Sequence, residues 1–222
     1  ERGNWRGERV RVVGMGNSAM DIASELSQRP MAARLFVSAR RGVWIFPKYY
    51  RGQPLDKNPA PAWLPKGLKQ WLGARMVKKL VGKMSDYGLP EPEIGPFESH
   101  GTVSGEFLVR AGSGDIAMKG GIERLDGDGV VFSDGSREAI DVIVWATGYD
   151  ISFPFFDEPS FKADADNRPP PLYKRIMKPG VPDLFYLGLA QPLPTLVNFA
   201  EQQSKLVAAY LERRFVLPRA SD

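Results

Sequence analysis

Residues 10–26 read VRVVGMGNSAMDIASEL, and this stretch decides the fold. Its beginning continues an alternating run that becomes fully apolar within residues 9–13, a pattern that predicts a strand entering a buried sheet. Apolar residues then recur at helical spacing until Pro30 stops the pattern. The stretch RLFV at residues 34–37 predicts another strand. The order strand, glycine turn, helix, strand predicts a βαβ unit and therefore a parallel sheet.

The turn between the first strand and the helix has the pattern G-x-G-x-x-A. Gly14 allows the tight turn, Gly16 lets a pyrophosphate approach the backbone, and Ala19 is small enough for the helix to pack close to the sheet. The free N–H groups of Asn17 and Ser18 would point at the phosphates, and the helix dipole favours their negative charge. We therefore predict dinucleotide binding at this turn. The alternative is a tight turn without a ligand.

Charged residues beside the turn decide how an anionic ligand would bind. A carboxylate facing the pyrophosphate would repel it, so we predict that Asp21, in the first helical turn, points sideways and supports the turn by hydrogen bonding. At the end of the second strand, an acid would select NAD(H) and an arginine NADP(H). Residues 37–41 read VSARR, so Arg40 and Arg41 are predicted to bind the 2′-phosphate. The alternative is that both arginines are solvated loop residues.

The composition excludes several kinds of active site. The 222 residues are 43% hydrophobic, enough for a real core, and carry a formal net charge of +4. There is no cysteine, which excludes disulfides, thiolate zinc sites, iron–sulfur clusters and thiol redox relays. The single histidine, His100, excludes a multi-histidine metal cluster, so no metal site is predicted. His100 is interpreted as a structural loop residue, with a functional acid as the alternative.

The rest of the chain predicts further α/β structure. Residues 121–149 predict a small antiparallel meander that leads into a buried strand at residues 142–145. Residues 172–187 predict a hairpin, and residues 199–215 an amphipathic helix. Leucine or methionine at every fourth residue predicts a basic helix over residues 64–84, which either packs on its own domain or binds a membrane surface or a partner. The predicted fold class is α/β: a Rossmann-like parallel sheet with a small antiparallel meander.

Three motifs in this order resemble the flavin-containing monooxygenase family. GMGNSAMDIA at residues 14–23 is similar to the family's second nucleotide motif, and ATGY at residues 146–149 is similar to its downstream hallmark. LGLAQP at residues 187–192, followed by EQQ at residues 201–203, is similar to the carboxyl-terminal segment beside the flavin. Together the three motifs span essentially the whole chain.

The resemblance implies two domains and two cofactors, NADPH and FAD. Residues 1–145 would form an inserted NADPH-binding domain, and residues 146–222 would return as the C-terminal segment of an FAD-binding domain. Family members begin with an FAD-binding βαβ unit, which this sequence lacks. The resemblance therefore implies a missing N-terminal half that shares the FAD site, and a fragment that is inactive alone.

The resemblance also places residues beside the cofactors. Pro194 stands where the family often has glycine, and proline has no N–H to donate to the flavin. Besides the glycine turn and the two arginines, the residues implied are Ala146, Thr147, Gly148, Tyr149, Gln191, Leu193 and Thr195.

The family's chemistry implies what each cofactor does. NADPH delivers hydride to FAD, and the reduced flavin captures O₂ as a C4a-(hydro)peroxide that oxygenates a soft nucleophile or a carbonyl substrate. The cofactor carries this chemistry, so no catalytic side chain is predicted. The passage GPFESH at residues 95–100 has no arginine or lysine, which argues against the Baeyer–Villiger subclass.

Two alternatives stay open: a stand-alone NADP-binding module, and a disulfide-reductase-like flavoprotein fragment whose cysteine pair would lie elsewhere. We expect O₂ and a small molecule as partners and no nucleic acid. No apolar run approaches the roughly 18–20 residues that cross a bilayer, so no transmembrane segment is predicted. No targeting segment is visible, and we expect a cytoplasmic location. The sequence leaves the oligomeric state open.

Overall fold

A computed structural model of the chain describes residues 5–57, 63–96, 101–192 and 196–217. The chain divides into two compact units, Glu1–Gly148 and Tyr149–Asp222. The strands are β1 (Arg9–Val13), β2 (Arg34–Ser38), β3 (Ile45–Phe46), β4 (Tyr49–Tyr50), β5 (Gln53–Pro54), β6 (Thr102–Val103), β7 (Ala117–Lys119), β8 (Ile122–Asp126), β9 (Gly129–Phe132), β10 (Arg137–Ala139) and β11 (Val142–Trp145). The helices are α1 (Asn17–Leu26), α2 (Lys66–Val81), α3 (Phe107–Gly112) and α4 (Leu196–Leu211), with short 3₁₀ helices at Leu55–Lys57, Met84–Tyr87 and Pro159–Phe161. Over these described ranges, no helix is long and apolar enough to cross a membrane.

The first unit is built on a four-stranded parallel sheet in the order β11–β1–β2–β7. β1 lies in the middle, with Val12 opposite Val144 of β11 and Val37 of β2. Val12 and Val37 are fully buried in one hydrophobic core together with the apolar side chains of α1. A central strand of a parallel sheet is covered on both faces, and the three middle residues of β1, Val10, Arg11 and Val12, are all buried.

The antiparallel meander contributes a second, smaller core. Its strands lie in the order β10–β9–β8. Val130 and Phe132 of the meander form a buried cluster with Phe36 of β2, and Ile143 of β11 packs against it. Phe36 and Ile143 alternate along their strands with residues of the first core, as the period of two in a strand requires. The predicted α/β fold class, a parallel sheet with a small antiparallel meander, is confirmed.

α1 begins directly after the glycine turn and ends before Pro30. Gly16 precedes it in an extended conformation, with φ −79° and ψ 175°. The side chains that face the core are small or apolar: Ala19, Met20, Ala23 and Leu26. At the other end, the N–H of Ser27 donates to the carbonyl of Ala23 at 2.9 Å, and its hydroxyl donates to the carbonyl of Ser24 at 2.7 Å. These two donors satisfy carbonyl groups in the last turn of the helix.

An ion pair joins the amino ends of β1 and β11. The guanidinium group of Arg9 donates to the carboxylate of Asp141 through Nε at 2.8 Å and through Nη2 at 2.5 Å. The backbone N–H of Arg9 donates to the same carboxylate at 2.7 Å. These side-chain and backbone hydrogen bonds lower the pKa of Asp141 to about 2. The pair fixes the start of the register between the two strands.

Replacing Asp141 by asparagine is expected to lower the melting temperature at neutral pH. The unfolded-state pKa of aspartate is about 3.9. The stabilisation is therefore fully present above that pH and is lost as the pH falls through about 2. Thermal unfolding followed by circular dichroism, from neutral pH downwards, measures the difference from the wild type. Arg9→Gln, which keeps the backbone donor, is the matched control. A difference that persists undiminished to the lowest pH would contradict this account.

α2 is shorter than predicted and buries a different face. It spans Lys66–Val81, and Gly82, with φ +75°, ends it. Val77 and Val81 are buried, whereas three leucines of the predicted fourfold spacing are exposed: Leu68, Leu72 and Leu80. Residues four apart drift by about 40° per helical turn, so they wind round the helix instead of forming one stripe. The predicted helix is therefore confirmed over a shorter range, and binding of its basic face to a membrane surface or a partner stays a prediction.

The second unit contains an aromatic cluster in place of a long hairpin. The ring centres of Phe153 and Tyr186 lie 5.4 Å apart in an edge-to-face arrangement. Between residues 172 and 187 the predicted hairpin is reduced to isolated antiparallel bridges, Tyr173 with Met177 and Met177 with Phe185. The prediction of two paired strands is therefore wrong in extent.

α4 ends at Leu211, earlier than the predicted residue 215. Arg213 adopts a φ of +59°, and its N–H donates back to the carbonyl of Tyr210 at 2.9 Å. A left-handed residue just beyond the last turn is a common way for a helix to end. Phe215, predicted on the apolar face of the helix, leaves it and stacks on Tyr173, with ring centres 6.4 Å apart.

Candidate functional site

Gly14 contacts the ends of both strands that flank β1. Its N–H donates to the carbonyl oxygen of Ser38, at the end of β2, over 3.0 Å. Its φ of +131° lies in a region that residues with side chains rarely adopt. A Cβ at this position would lie 2.3 Å from the carbonyl oxygen of Ala146, just after β11. Only glycine fits here, because of both the backbone conformation and the neighbouring carbonyl.

The amino end of α1 is open. Gly16, Asn17 and Ser18 are exposed, and no side chain caps the helix. The first helical hydrogen bond runs from the N–H of Met20 to the carbonyl of Gly16 at 3.1 Å, so the N–H groups before Met20 lack a helical acceptor. A Cβ built on Gly16 would meet no atom within 4 Å. A bare backbone, free N–H groups and the positive end of the helix dipole together form a cradle that fits a pyrophosphate.

Two hydrogen bonds from β6 hold the glycine turn. The hydroxyl of the buried Thr102 donates to the carbonyl of Met15 at 2.8 Å. The N–H of Val103 donates to Oδ1 of Asn17 at 2.9 Å. The side chain of Asn17 is therefore engaged by Val103, whereas its backbone N–H lacks a helical acceptor. The sequence analysis did not predict these two hydrogen bonds from β6. The one signal that could have suggested them was the polar Asn17 directly after the second glycine.

Asp21 lies beyond the first turn of α1, because the helix begins at Asn17. Its exposed carboxylate lies 3.8 Å from Nζ of Lys48, in the loop after β3. In the described part of the chain, the partner of Asp21 is therefore a lysine and not a group of the glycine turn. The predicted hydrogen bond to the turn is replaced by this ion pair, which partly neutralises a carboxylate near the cradle.

Arg40 and Arg41 follow β2 at the edge of the sheet where the glycine turn lies. The last residue of β2, Ser38, bonds to Gly14, so the chain leaves the sheet beside the turn. Both arginines are exposed. Arg40 packs over Gly121, where a built Cβ would lie 3.4 Å from Cγ of Arg40. Among the described residues, neither guanidinium group forms an ion pair. Two cationic groups are thus available to an anion at this edge.

The ATG segment reaches the glycine turn from β11. The N–H of Ala146 donates to the carbonyl of Val13 at 2.9 Å, which continues the pairing of β11 with β1. The carbonyl of Ala146 then faces Gly14, while Thr147 and Gly148 are exposed. Two of the three sequence motifs therefore meet at the carboxyl edge of the parallel sheet, the usual place for a ligand in such folds.

In the second unit, Gln203 of α4 holds the segment that precedes Gln191. Gln203 is buried, and its Oε1 accepts the N–H of Gly188 at 2.9 Å. Its Nε2 donates to the carbonyl of Arg175 at 3.4 Å. Gln191 itself is exposed. Gln203 was noted in the sequence only as part of EQQ, and the structure shows that it positions this segment.

The structure describes only some of the remaining predicted site residues. Tyr149 is exposed in the second unit, and its carbonyl accepts a 3.4 Å hydrogen bond from the side chain of Asn167. Leu193, Thr195 and His100 lie outside the described residues. Within the ranges that the structure does describe, no group of three or more metal-ligating side chains occurs.

Comparison with known protein sequences adds independent findings. A family model described as flavin-binding monooxygenase-like (FMO-like) matches residues 1–222. The chain is 33% identical over 228 residues to flavin-containing monooxygenase 5 of Rattus norvegicus, covering 98% of this chain and 42% of that protein. It is 35% identical over 212 residues to dimethylaniline monooxygenase (N-oxide-forming) 2 of Rattus norvegicus, covering 90% of this chain and 38% of that protein. The chain thus spans about two fifths of the length of these relatives.

Solved structures with a similar fold include an oxygenase and a monooxygenase. A steroid monooxygenase bound to NADP matches with a TM-score of 0.62 and 16% identity, covering 96% of this chain and 55% of that one. The S-allyl-L-cysteine S-oxygenase of Allium sativum matches with a TM-score of 0.55 and 21% identity, covering 97% of this chain and 35% of that one. At these identities the likeness shows the fold alone.

Proposed function

The chain belongs to the flavin-binding monooxygenase-like family, and from this premise we propose that it binds NADPH and forms part of an FAD-dependent monooxygenase. Residues 1–145 would be the NADPH-binding domain, and residues 146–222 would be the returning segment of an FAD-binding domain. The compact units divide after Gly148, close to this boundary. Because the chain spans about two fifths of its relatives, the activity is proposed for the whole enzyme.

The observation that carries the proposal is the open amino end of α1. Gly14 is held in place by Ser38 and faces Ala146, while Gly16 has empty space around its Cβ position. The N–H groups of residues 17–19 lack a helical acceptor, so a pyrophosphate would satisfy them. Gly16, Asn17, Ser18 and Ala19 would therefore hold the pyrophosphate of NADPH.

Arg40 and Arg41 would hold the 2′-phosphate. Both are exposed and free of ion pairs in the described part of the chain, and both follow β2 after one residue, where dinucleotide folds meet the adenosine ribose. A guanidinium group matches a phosphate dianion in charge and in bidentate geometry. This supports NADPH over NADH as the coenzyme.

FAD would be held in part by the segments that the resemblance assigns to it. These residues are Ala146, Thr147, Gly148, Tyr149, Gln191, Leu193 and Thr195. When bound, FAD supplies the redox chemistry: it accepts hydride from NADPH and activates O₂ to oxygenate a small-molecule substrate. The residues of this chain bind and orient the cofactors and exclude water, and no side chain is assigned a proton. We propose a soft nitrogen or sulfur nucleophile as substrate, with a carbonyl compound as the alternative.

Coenzyme titration tests the proposal. The full-length protein that carries these residues is titrated with NADPH and with NADH, and binding is followed by coenzyme fluorescence and by the rise in melting temperature. We expect saturable NADPH binding, an affinity for NADH weaker on the order of 100-fold, and NADPH oxidation that requires FAD and O₂. The 222-residue chain alone is expected to bind NADPH but no stoichiometric FAD, and to oxidise no NADPH.

Each outcome of the titration bears on a separate part of the proposal. A folded protein that binds neither coenzyme would overturn the assignment of the glycine turn. Tight FAD binding by the 222 residues alone would move the proposed domain boundary. NADPH binding by the full-length protein without oxidation of the coenzyme would favour a stand-alone NADP-binding module.

A further inference from the structure

A buried arginine lies beneath the loop that carries Arg40 and Arg41. Arg11 occupies the middle of β1 and is fully buried between the parallel sheet and the meander. Its Nε and Nη2 donate to Oγ of Ser38 at 3.1 and 2.6 Å. The carbon atom of its guanidinium group lies 4.5 Å from the ring centre of Phe132. Arg11 lies opposite Phe36 of β2, which forms an apolar buried cluster with Val130 and Phe132, so packing against that cluster does not explain an arginine here.

The charge of Arg11 has no counter-charge in the described part of the chain. The nearby carboxylate of Glu138 lies 2.7 Å from Lys119 and 3.4 Å from Arg34 instead. Nη1 of Arg11 has no hydrogen-bond partner among the described residues. Burial lowers the pKa of Arg11 to about 10, so the group still carries its charge at neutral pH. A buried, unpaired cation disfavours folding, and we expect its benefit to lie in binding.

Ser38 connects Arg11 to the candidate coenzyme site. Both N–H donors of Arg11 point at the Ser38 oxygen, so the hydroxyl proton of Ser38 is directed away and remains a donor. The carbonyl of Ser38 accepts the N–H of Gly14 at 3.0 Å. Ser38 is also the last residue of β2, and Arg40 and Arg41 follow it after one residue. Arg11 therefore contacts the one residue that joins the glycine turn to the two arginines.

We propose that Arg11 is a positioning residue for NADPH selection, which acts through Ser38 and adds a buried positive charge beneath the 2′-phosphate site. This inference rests on the proposed function. Arg11 does not contact the coenzyme itself; it orients Ser38 and fixes the start of the loop that carries Arg40 and Arg41. The positive charge favours the ligand that carries an additional phosphate, so its effect falls on NADPH and not on NADH.

Dissociation constants of the full-length protein for NADPH and NADH test the inference. Arg11→Met keeps an unbranched apolar side chain and removes the charge. It is expected to weaken NADPH binding about tenfold and to change NADH binding by less than about twofold. The melting temperature is expected to stay equal or to rise, because an unpaired buried charge is removed.

Arg11→Lys is expected to keep part of the preference for NADPH. Ser38→Ala combined with Arg11→Met is expected to weaken NADPH binding by less than the two single changes together, because both act through the same contact.

Other results would overturn the inference. An equal loss of affinity for both coenzymes, together with a lower melting temperature, would show that Arg11 is merely structural. An unchanged NADPH-to-NADH ratio in Arg11→Met would show that it has no part in selection. If Arg11→Met fails to fold, an unchanged ratio in Arg11→Lys and in Ser38→Ala leads to the same conclusion. A wild-type protein without any preference for NADPH would instead refute the coenzyme assignment of the proposed function.

Discussion

Gly14→Ala is expected to unfold the first unit, whereas Gly16→Ala is expected to leave it folded and to abolish tight NADPH binding. The methyl group of an alanine at position 14 would lie 2.3 Å from the carbonyl oxygen of Ala146, in a backbone conformation with φ +131°. Both effects act on backbone atoms that cannot move aside without breaking the pairing of β11 with β1. We expect the free energy of unfolding to fall by about 4 kcal/mol or more.

At Gly16 the same substitution meets different surroundings. Its φ of −79° suits any residue, and no atom lies within 4 Å of the Cβ position. The change should cost less than about 1 kcal/mol, the difference between glycine and alanine at a helix N-cap. The added methyl group would instead occupy the space that a pyrophosphate needs. We expect the dissociation constant for NADPH to rise on the order of 100-fold.

Denaturant unfolding and NADPH titration of both variants separate these effects. Gly14→Ala should lose stability and Gly16→Ala should lose binding, so each variant serves as the control for the other. Equal stability of the two variants would contradict the close approach of Gly14 to Ala146. Undiminished NADPH binding by Gly16→Ala would show that the coenzyme does not lie against this turn.

The double variant Arg40→Ala/Arg41→Ala is expected to remove the preference for NADPH. Both side chains are exposed and form no ion pair within the described ranges, so their loss should leave stability unchanged. Two charge-assisted contacts to a phosphate are together worth about 3 kcal/mol, which is on the order of 100-fold in affinity. Binding of NADH, which has no 2′-phosphate, should change by less than about threefold.

The two dissociation constants are measured at low and at high salt. The wild-type preference for NADPH should shrink as salt screens the arginines, and the double variant should show no such dependence. Arg124→Ala is the matched control, since Arg124 is an exposed arginine on β8 in the same unit. A similar loss of NADPH affinity in Arg124→Ala would mean that net charge, and not these two residues, selects the coenzyme.

Local pattern was sufficient for the elements that position the site. The alternation before Gly14, the G-x-G-x-x-A spacing and the helical periodicity after it predicted β1 with its observed bounds, β2 to within one residue, and α1 between the turn and Pro30. Local turn chemistry also predicted the meander, because its glycine and aspartate turns force the chain back on itself. These features depend on residues close together in the chain, so the sequence carries them directly.

Local pattern failed where a distant segment decides the outcome. The buried face of α2 and the end of α4 followed tertiary contacts and not hydrophobic spacing. Arg11 belongs to an alternating strand, where exposure would be expected, yet the meander covers it. Periodicity describes one element alone, and it contains no information about which neighbour will cover each face.

The nucleotide cradle shows the same division within a single site. Its glycines, helix and arginines could be predicted from the sequence, because phosphate recognition uses neighbouring backbone groups at one helix end. The hydrogen bond from Thr102, the approach of Ala146 to Gly14 and the contact of Arg11 with Ser38 arise only when β6, β11 and β1 come together. Strand pairing and burial join residues that are remote in sequence, and the folded chain alone determines which of them meet.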